Sequence, residues 1–476
     1  MEKQTAENLE AYDISEEGKA VLRHDGRVIF VKGLVPGDVA DIELTRVKKK
    51  HVEGKIIALK KPSSYRVDPV CSHFGVCGGC SWQNLDYQAE LRLKEKQVTE
   101  AFRRIAGVEV EEALPIIGSE KNYHYRNKLE FAFSSKRWLT HEEMEQKKNF
   151  GKPALGFHVP RLFDKVIDIK ECFLQPEPSN AIRQAVRGFA EIEGMSFFDL
   201  REQQGFLRHL MIRTASTGEV MALVTFGSDD RRKREKLLGF MQKQFPGLTT
   251  IVYAINTKKN DSLYDLEMVN YTGSGYITEK LKLRKQGQSL HESGELSFRI
   301  SPQSFFQTNT AQANNLYRIA SEFAGFRGTE LVYDLYTGCG TIAGYIAGEV
   351  KRVVGIESVK QAVADARINA ELNHITNAEF LVGDMLYMLN EDTFRHHGIP
   401  DVVITDPPRA GMHPDVTADL LKAAPQKIIY ISCNPSTQAR DVALLAQKYA
   451  VKKIQPVDMF PHTSHVENVA LLEKIS

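Results

Sequence analysis

The alternation of hydrophobic and polar positions divides the chain into three stretches of different period. From about Ala11 to Lys61 it is short and strand-like. His24-Asp-Gly-Arg27 is a hairpin turn, Val28-Ile-Phe-Val31 leads to Pro36-Gly-Asp38, and Val39 to Arg46 and Val52 to Leu59 read as two more strands. Such closely spaced short strands predict a small barrel of the OB type. The second stretch is mixed. Its period is helical from Tyr87 through Leu91, Val98, Phe102 and Ile105, then strand-like at Leu129 to Ser134. His209 to Arg213 and Val220 to Phe226 predict a hairpin across Ser216-Thr-Gly218, while the polar run His141 to Lys152 predicts a loop. Arg231-Arg-Lys-Arg234 precedes an amphipathic helix and is expected on its solvent face. In the third stretch strands fall near 331–335, 352–356, 378–382, 401–405, 427–431, 451–457 and 466–472, the first five separated by helical stretches or loops. That pattern predicts a doubly wound α/β domain. The expected units are a barrel over 1–66, a central α+β unit over 67–290 and an α/β catalytic unit over 291–476.

Composition changes this picture little. At 42% hydrophobic and 26% charged the chain is that of an ordinary globular protein, and a net charge of +1 excludes a uniformly basic coat. Local charge says more. Arg46 to Lys61 holds seven Lys or Arg against one acid, Glu53, with Lys48-Lys-Lys50 at a turn. A solvated hairpin tip would look the same, but on a small barrel the run predicts a track for RNA phosphates. Tyr123, His124 and Tyr125 beside Arg126 and Lys128 offer stacking and charge to single-stranded RNA, or form a wet sheet face. The polar, acidic start and the lack of a long apolar run lead us to expect no secretory signal, no membrane span and a cytoplasmic location.

Chemistry concentrates at strand ends. Leu331-Val-Tyr-Asp-Leu335 runs into Tyr336-Thr-Gly338-Cys-Gly340, a turn where backbone approaches a ligand. Glu357, seventeen residues after Gly340, ends the next strand, the usual place for a carboxylate on ribose hydroxyls, and Asp384 follows the third. Together they predict a nucleoside cofactor. The fourth strand ends on Asp406-Pro-Pro-Arg409 and the fifth on Ser432-Cys433-Asn-Pro. An Asp-Pro-Pro turn and a thiol offer nothing to hydride transfer, which tilts the choice to S-adenosylmethionine. A cysteine in a strand can be a small buried hydrophobe. At a strand end facing a helix amino terminus, which is expected to lower its pKa, and with Asp406-Pro-Pro-Arg409 and Glu467 alongside, it predicts a nucleophile. Pyrimidine C5 is a poor nucleophile until a thiolate adds to C6; a separate base must then remove the C5 proton, and Glu467 in His465-Val-Glu467 is the candidate.

Cys71, Cys77 and Cys80 lie within ten residues, with Gly78 and Gly79 permitting a tight fold, and Cys172 offers a fourth thiolate. Four thiolates hold a tetrahedral zinc or a [4Fe-4S] cluster. The spacing of five residues and then two is unlike the paired knuckles of zinc ribbons and favours the cluster.

These motifs, with Phe305-Phe-Gln307-x-Asn309 and Ser432-Cys433-Asn-Pro-x-Thr437, resemble the RNA uracil-5 methyltransferases over essentially the whole chain. The resemblance is to the branch acting on 23S rRNA, with an amino-terminal TRAM barrel and a [4Fe-4S] cluster. It implies that Gln307, Tyr336, Glu357 and Asp406 contact cofactor or target base, that Cys433 is the nucleophile and that Glu467 is the base. It also implies an rRNA substrate, since tRNA-specific relatives lack barrel and cluster, and a monomer working without a membrane. Thr341 departs from the family pattern, which often has Asn after the second glycine. Competing readings are a tRNA uridine methyltransferase, an adenine amino-methyltransferase, a radical enzyme, and a non-catalytic RNA-binding protein on the same fold. The adenine enzymes put an aromatic where Arg409 stands, and radical enzymes usually space their cysteines three and two apart.

Overall fold

The computed structural model describes residues 4–47, 51–146, 151–283 and 294–475. In the first unit a six-stranded sheet spanning Thr5 to Lys61 curls around Leu22, Ile29, Val31 and Ile42, all nearly inaccessible. Asp25 and Gly26, both at positive φ, make the expected turn between Ala20–His24 and Arg27–Val31. A strand at Thr5–Glu10, not expected from the pattern, pairs with Val39–Val47 along one edge. Lys48, Lys49 and Lys50 lie outside the described residues.

A seven-stranded sheet forms the second unit, with Leu207–Thr214 and the wholly buried Val220–Phe226 at its centre. Helices Ser179–Ile192 and Arg231–Gln244 pack together, Phe189 stacking on Phe240 at 4.1 Å. The basic run is not all solvent face. Arg231, Arg232 and Lys233 are exposed, but Arg234 is buried, bonded to Asp229 and set over the Tyr253 ring. The expected loop at His141 contains a short helix, His141–Glu145. Helix Tyr87–Ala101 buries Leu91 and Val98, whereas Ile105 is exposed and Lys94 is buried.

The catalytic sheet contains β1 (Leu331–Leu335), β2 (Arg352–Glu357), β3 (Ala378–Val382), β4 (Val402–Thr405), β5 (Lys427–Ser432), β6 (Tyr449–Val457) and β7 (Glu467–Lys474). Its order is β3-β2-β1-β4-β5-β7-β6, followed by an edge strand, Val110–Ala113, parallel to β6. That edge strand falls within the segment expected to be central, and the hairpin Ile277–Lys282/Glu295–Ile300 straddles the expected boundary at 290 while packing into the catalytic core. β1 to β5 are parallel, so their carboxyl ends share one rim of the sheet. β7 runs antiparallel to β5, with Ser432 opposite Asn468. The start of β7 therefore lies on the rim where β5 ends.

Candidate active site

The rim collects residues far apart in sequence. Because Ser432 pairs with Asn468, Cys433 leaves β5 where Glu467 enters β7. Thr405 pairs with both Leu335 and Tyr430, which puts Asp406 between Tyr336 and the cysteine strand. Asn434 caps helix Pro435–Leu445 through Ser436 N at 3.1 Å, and its amide donates to Arg409 O at 3.3 Å. The Asn-Pro-x-Thr signature thus ties the thiol turn to the Asp-Pro-Pro-Arg turn, since Thr437 Oγ1 also donates to Arg409 O.

Negative charge dominates here. Glu467 is 3% exposed, and its Oε2 has no hydrogen-bond partner. Burial, then Asp406, holds its carboxyl well above the usual carboxylate range. Asp406 is itself pushed up to about 7 by burial and by Asp334, against a 3.4 Å hydrogen bond from Gln307 Nε2. The part-buried Cys433 thiol is pushed up to about 12 by burial, Glu467 and Asp406, with Arg409 opposing. In the free protein it is therefore protonated at neutral pH, contrary to the expected lowering.

Along the rim Tyr336 adopts φ +62°, and Gly338 and Gly340 are also left-handed. A Cβ at Gly340 would come within 3.1 Å of Ala366 and Phe380, whereas one at Gly338 would meet nothing within 4 Å. Gly340 thus serves close packing and Gly338 borders open space where a ligand can approach. Glu357 accepts from Gly338 N at 3.2 Å and from Val359 N at 2.9 Å. Asp384 is exposed and caps the next short helix through Leu386 N at 3.0 Å. The predicted cofactor residues Tyr336, Gly338, Gly340, Glu357, Asp384 and Asp406 all stand at the ends of β1 to β4, and Gln307 joins them through Asp406.

Asp334, inside the apolar run of β1, has no role among those expected from the motifs. It is fully buried, accepts from Thr337 Oγ1 and from Ala343 N, and is pushed up to about 7 by burial. A carboxylate inside an apolar strand just before a glycine turn was the available signal. Thr341, also buried, meets the Tyr317 hydroxyl at 3.2 Å, a packing contact with another helix.

A second cluster lies in the central unit. Cys71, Cys77, Cys80 and Cys172 line one cavity of about 340 Å³, together with Arg126 and Lys128. None is in a disulfide. Gly79 N donates to Cys77 Sγ at 3.4 Å and Gln83 Nε2 to Cys80 Sγ at 3.2 Å. Burial is the main force pushing the Cys77 thiol up to about 11 and that of Cys80 up to about 12. Among the described residues no three His, Cys, Asp or Glu side chains converge as on a single metal ion.

A family model described as tRNA (Uracil-5-)-methyltransferase matches residues 271–475, and a TRAM domain model matches residues 12–57. A protein of Porphyromonas gingivalis named an RNA methyltransferase is 50% identical, with 98% of this chain and 99% of that protein covered. Another so named, from Chlorobaculum tepidum, is 38% identical, with 94% and 92% covered. Among solved structures, the Pyrococcus abyssi tRNA (uracil-54, C5)-methyltransferase in complex with S-adenosyl-L-homocysteine is 31% identical. It superposes with a TM-score of 0.73 over 97% of this chain and 99% of its own. Coverage that complete leaves no room to omit the barrel. The barrel therefore does not separate rRNA from tRNA enzymes, and the sequence argument for rRNA loses that support.

Proposed function

The chain belongs to the RNA uracil-5-methyltransferase family with a TRAM domain, and on that premise we propose that it methylates C5 of a uridine in 23S rRNA through a covalent adduct between Cys433 and uracil C6. The observation that carries this reading is the antiparallel register that sets Glu467 beside Cys433, a nucleophile and a base on one rim. S-adenosylmethionine supplies the methyl group as an electrophile; Tyr336, Gly338, Glu357, Asp384 and Asp406 are the residues to hold it, with Gln307 fixing Asp406.

As substrate and the cationic cofactor bind, Cys433 loses its proton to solvent and its sulfur bonds to C6, turning the C5–C6 double bond into an enolate whose C5 takes the methyl group, with S-adenosylhomocysteine as the neutral leaving group. Glu467 then accepts the C5 proton, the double bond re-forms and the C6–S bond breaks, returning the thiolate. A carboxylate with raised proton affinity suits a base that must take a proton from carbon, once its own resting proton has been released as substrate and the cationic cofactor bind. The uracil must leave its stack to reach both groups. Both come from one chain, so a monomer is sufficient, and an rRNA partner puts the reaction in the cytoplasm.

The cysteine cavity is assigned to a [4Fe-4S] cluster held by Cys71, Cys77, Cys80 and Cys172. What supports the cluster over a tetrahedral zinc is the spacing of five residues and then two, unlike paired zinc knuckles, with a cavity of about 340 Å³ and N–H donors to two of the sulfurs.

A second reading, a tRNA uridine as target, is favoured by the likeness to the Pyrococcus abyssi tRNA (uracil-54, C5)-methyltransferase, which aligns over 97% of this chain. Mapping 5-methyluridine in rRNA and tRNA from a deletion strain, complemented with wild type or Cys433→Ala, tests both. Loss of the mark from 23S rRNA supports the first, and loss from tRNA alone replaces it with the second. Intact marks in both would remove the proposed activity.

A further inference from the structure

The loop from Asp458 to Val466 joins β6 to β7 and delivers Glu467 to the rim. Nearly all of it is buried, and it is held mainly by segments outside the catalytic sheet. Its pivot is His462, at φ +65° and 5% exposed. The His462 carbonyl accepts from Ser81 N at 2.8 Å and Trp82 N at 3.0 Å, immediately after Cys80. Its own N–H donates to Glu90 Oε1 at 2.8 Å. The imidazole lies on the Tyr123 ring, centroids 4.4 Å apart, and neither ring nitrogen has a hydrogen-bond partner, although Nδ1 lies 3.7 Å from Glu90 Oε2. The ring thus packs on Tyr123 and faces the Glu90 carboxyl.

Neighbouring contacts make the same connection. Lys94, wholly buried, bridges Glu90 and Asp458 at 2.6 Å each and donates to Phe460 O at 3.1 Å. Tyr87 OH donates to Asp458 Oδ2 at 2.7 Å, and Tyr125 OH to Pro461 O at 3.1 Å. Trp82 Nε1 in turn donates to Gly18 O of the barrel at 3.3 Å. Barrel, cysteine-bearing segment and catalytic loop therefore meet at Trp82 and His462. On the other side, Gln83 donates to Cys80 Sγ and accepts from Cys71 N, so the same short segment frames the cysteine cavity.

We propose that His462, clamped between the Ser81–Trp82 backbone and Tyr123, is a positioning residue through which the cysteine-bearing segment sets the place of Glu467, and so governs proton removal from C5 rather than thiol addition. The inference rests on the covalent reading of the site. Cys433 follows directly on β5, which this loop does not carry, so the nucleophile stays in place when the loop shifts. A base displaced by even an ångström or so loses on the order of tenfold to a hundredfold in its step.

The test uses the full-length protein with its iron, 23S rRNA transcript and S-adenosylmethionine labelled in the methyl group. His462→Asn keeps a residue that tolerates positive φ but removes the ring. Tyr123→Ala removes the opposing ring from a part-buried position, and Tyr123→Phe restores it. His462→Asn and Tyr123→Ala are expected to slow turnover roughly tenfold or more. Their iron content and KM for RNA stay unchanged, a methyl-labelled protein–RNA adduct accumulates on denaturing gels, and Tyr123→Phe behaves as wild type. Glu467→Gln and Cys433→Ala serve as references, the one trapping adduct and the other none. Normal turnover in both ring variants, or slow turnover with no adduct while Glu467→Gln still traps it, overturns the positioning role. If Glu467→Gln traps nothing either, the covalent reading itself is what has failed.

Discussion

The molecule prepares thiols in two opposite ways. In the central unit four cysteines line one cavity with Arg126, Lys128, Glu130 and Glu171, and a backbone N–H and a glutamine amide donate to two of the sulfurs. At the rim of the catalytic sheet a single cysteine faces two buried carboxylates, Glu467 and Asp406, with Arg409 in partial compensation. Burial raises the thiol pKa in both places, yet the groups set against it differ: a hydrogen-bond donor reaches the sulfur of Cys80, whereas the charge of Arg409 opposes the carboxylates at Cys433. Hydrogen-bond donors suit sulfurs that carry permanent negative charge as ligands. Carboxylates keep a lone thiol protonated until substrate and a cationic cofactor change the local charge. On the proposed reading, the cluster ligands are prepared by their resting environment and the nucleophile by what binds.

The sharpest way to break that contrast is to remove one thiol from each region. Cys433→Ala is expected to abolish methyl transfer and adduct formation, a loss on the order of a thousandfold or more, while the brown colour and iron content of anaerobically purified protein persist. Glu467→Gln should come next, cutting turnover roughly a hundredfold to ten-thousandfold. It should trap a methyl-labelled adduct, because addition and methyl transfer precede its step. Cys77→Ser or Cys172→Ser should do the reverse of Cys433→Ala: iron, expected at about four per chain, is lost, whereas alkylation of Cys433 still occurs. Stoichiometric zinc in the wild type would erase the contrast as drawn.

A smaller effect separates the two regions by pH. With its folded pKa raised to about 12, Cys433 of the free protein holds less thiolate at neutral pH than an ordinary cysteine. Iodoacetamide labelling at this position, followed by peptide mass spectrometry, should therefore rise about tenfold per pH unit through pH 7 to 9 without levelling. Glu467→Gln removes a charge that raises the pKa, so its profile should shift to lower pH. A plateau near pH 8 in the wild type would mean that the carboxylates do not hold the thiol protonated. The same logic fixes a stability trend. Asp334 has a folded pKa of about 7, above its unfolded value. The folded state thus binds the extra proton, and this contribution is lost as pH rises through about 4 to 7. The smallest expected effect concerns the barrel. Replacing Lys48, Lys49 and Lys50 by Ala should lower the slope of log affinity against log salt by up to about 2, leaving S-adenosylmethionine binding intact; an unchanged slope returns the run to a solvated hairpin tip.

Much of this was legible in one dimension. The seven strands expected from Leu331 onward stand within about two residues of their positions, because each is a short apolar run closed by Gly, Pro or a charged residue. The thiol, the Asp-Pro-Pro turn and the glycine turn could be placed on strand ends for the same reason. The cysteine spacing likewise announced a site before any geometry was known. Local chemistry of this kind is written in the order of the residues.

What only the tertiary structure decided is how those ends come together. Glu467 is thirty-four residues from Cys433 and becomes its neighbour because β7 returns antiparallel between β5 and β6, inverting the chain order of the last two strands. Lys94 lies on a helix patterned as amphipathic and is nonetheless buried, since two carboxylates from different segments neutralise it there. Arg234, one of four consecutive basic residues, turns inward to Asp229 and Tyr253. His462 shows no motif at all, and its place depends on a loop, a cysteine-bearing segment and a helix closing around it. Periodicity reports which face of an element is apolar; partner choice across elements depends on register, burial and charge balance, and these exist only once the chain has folded.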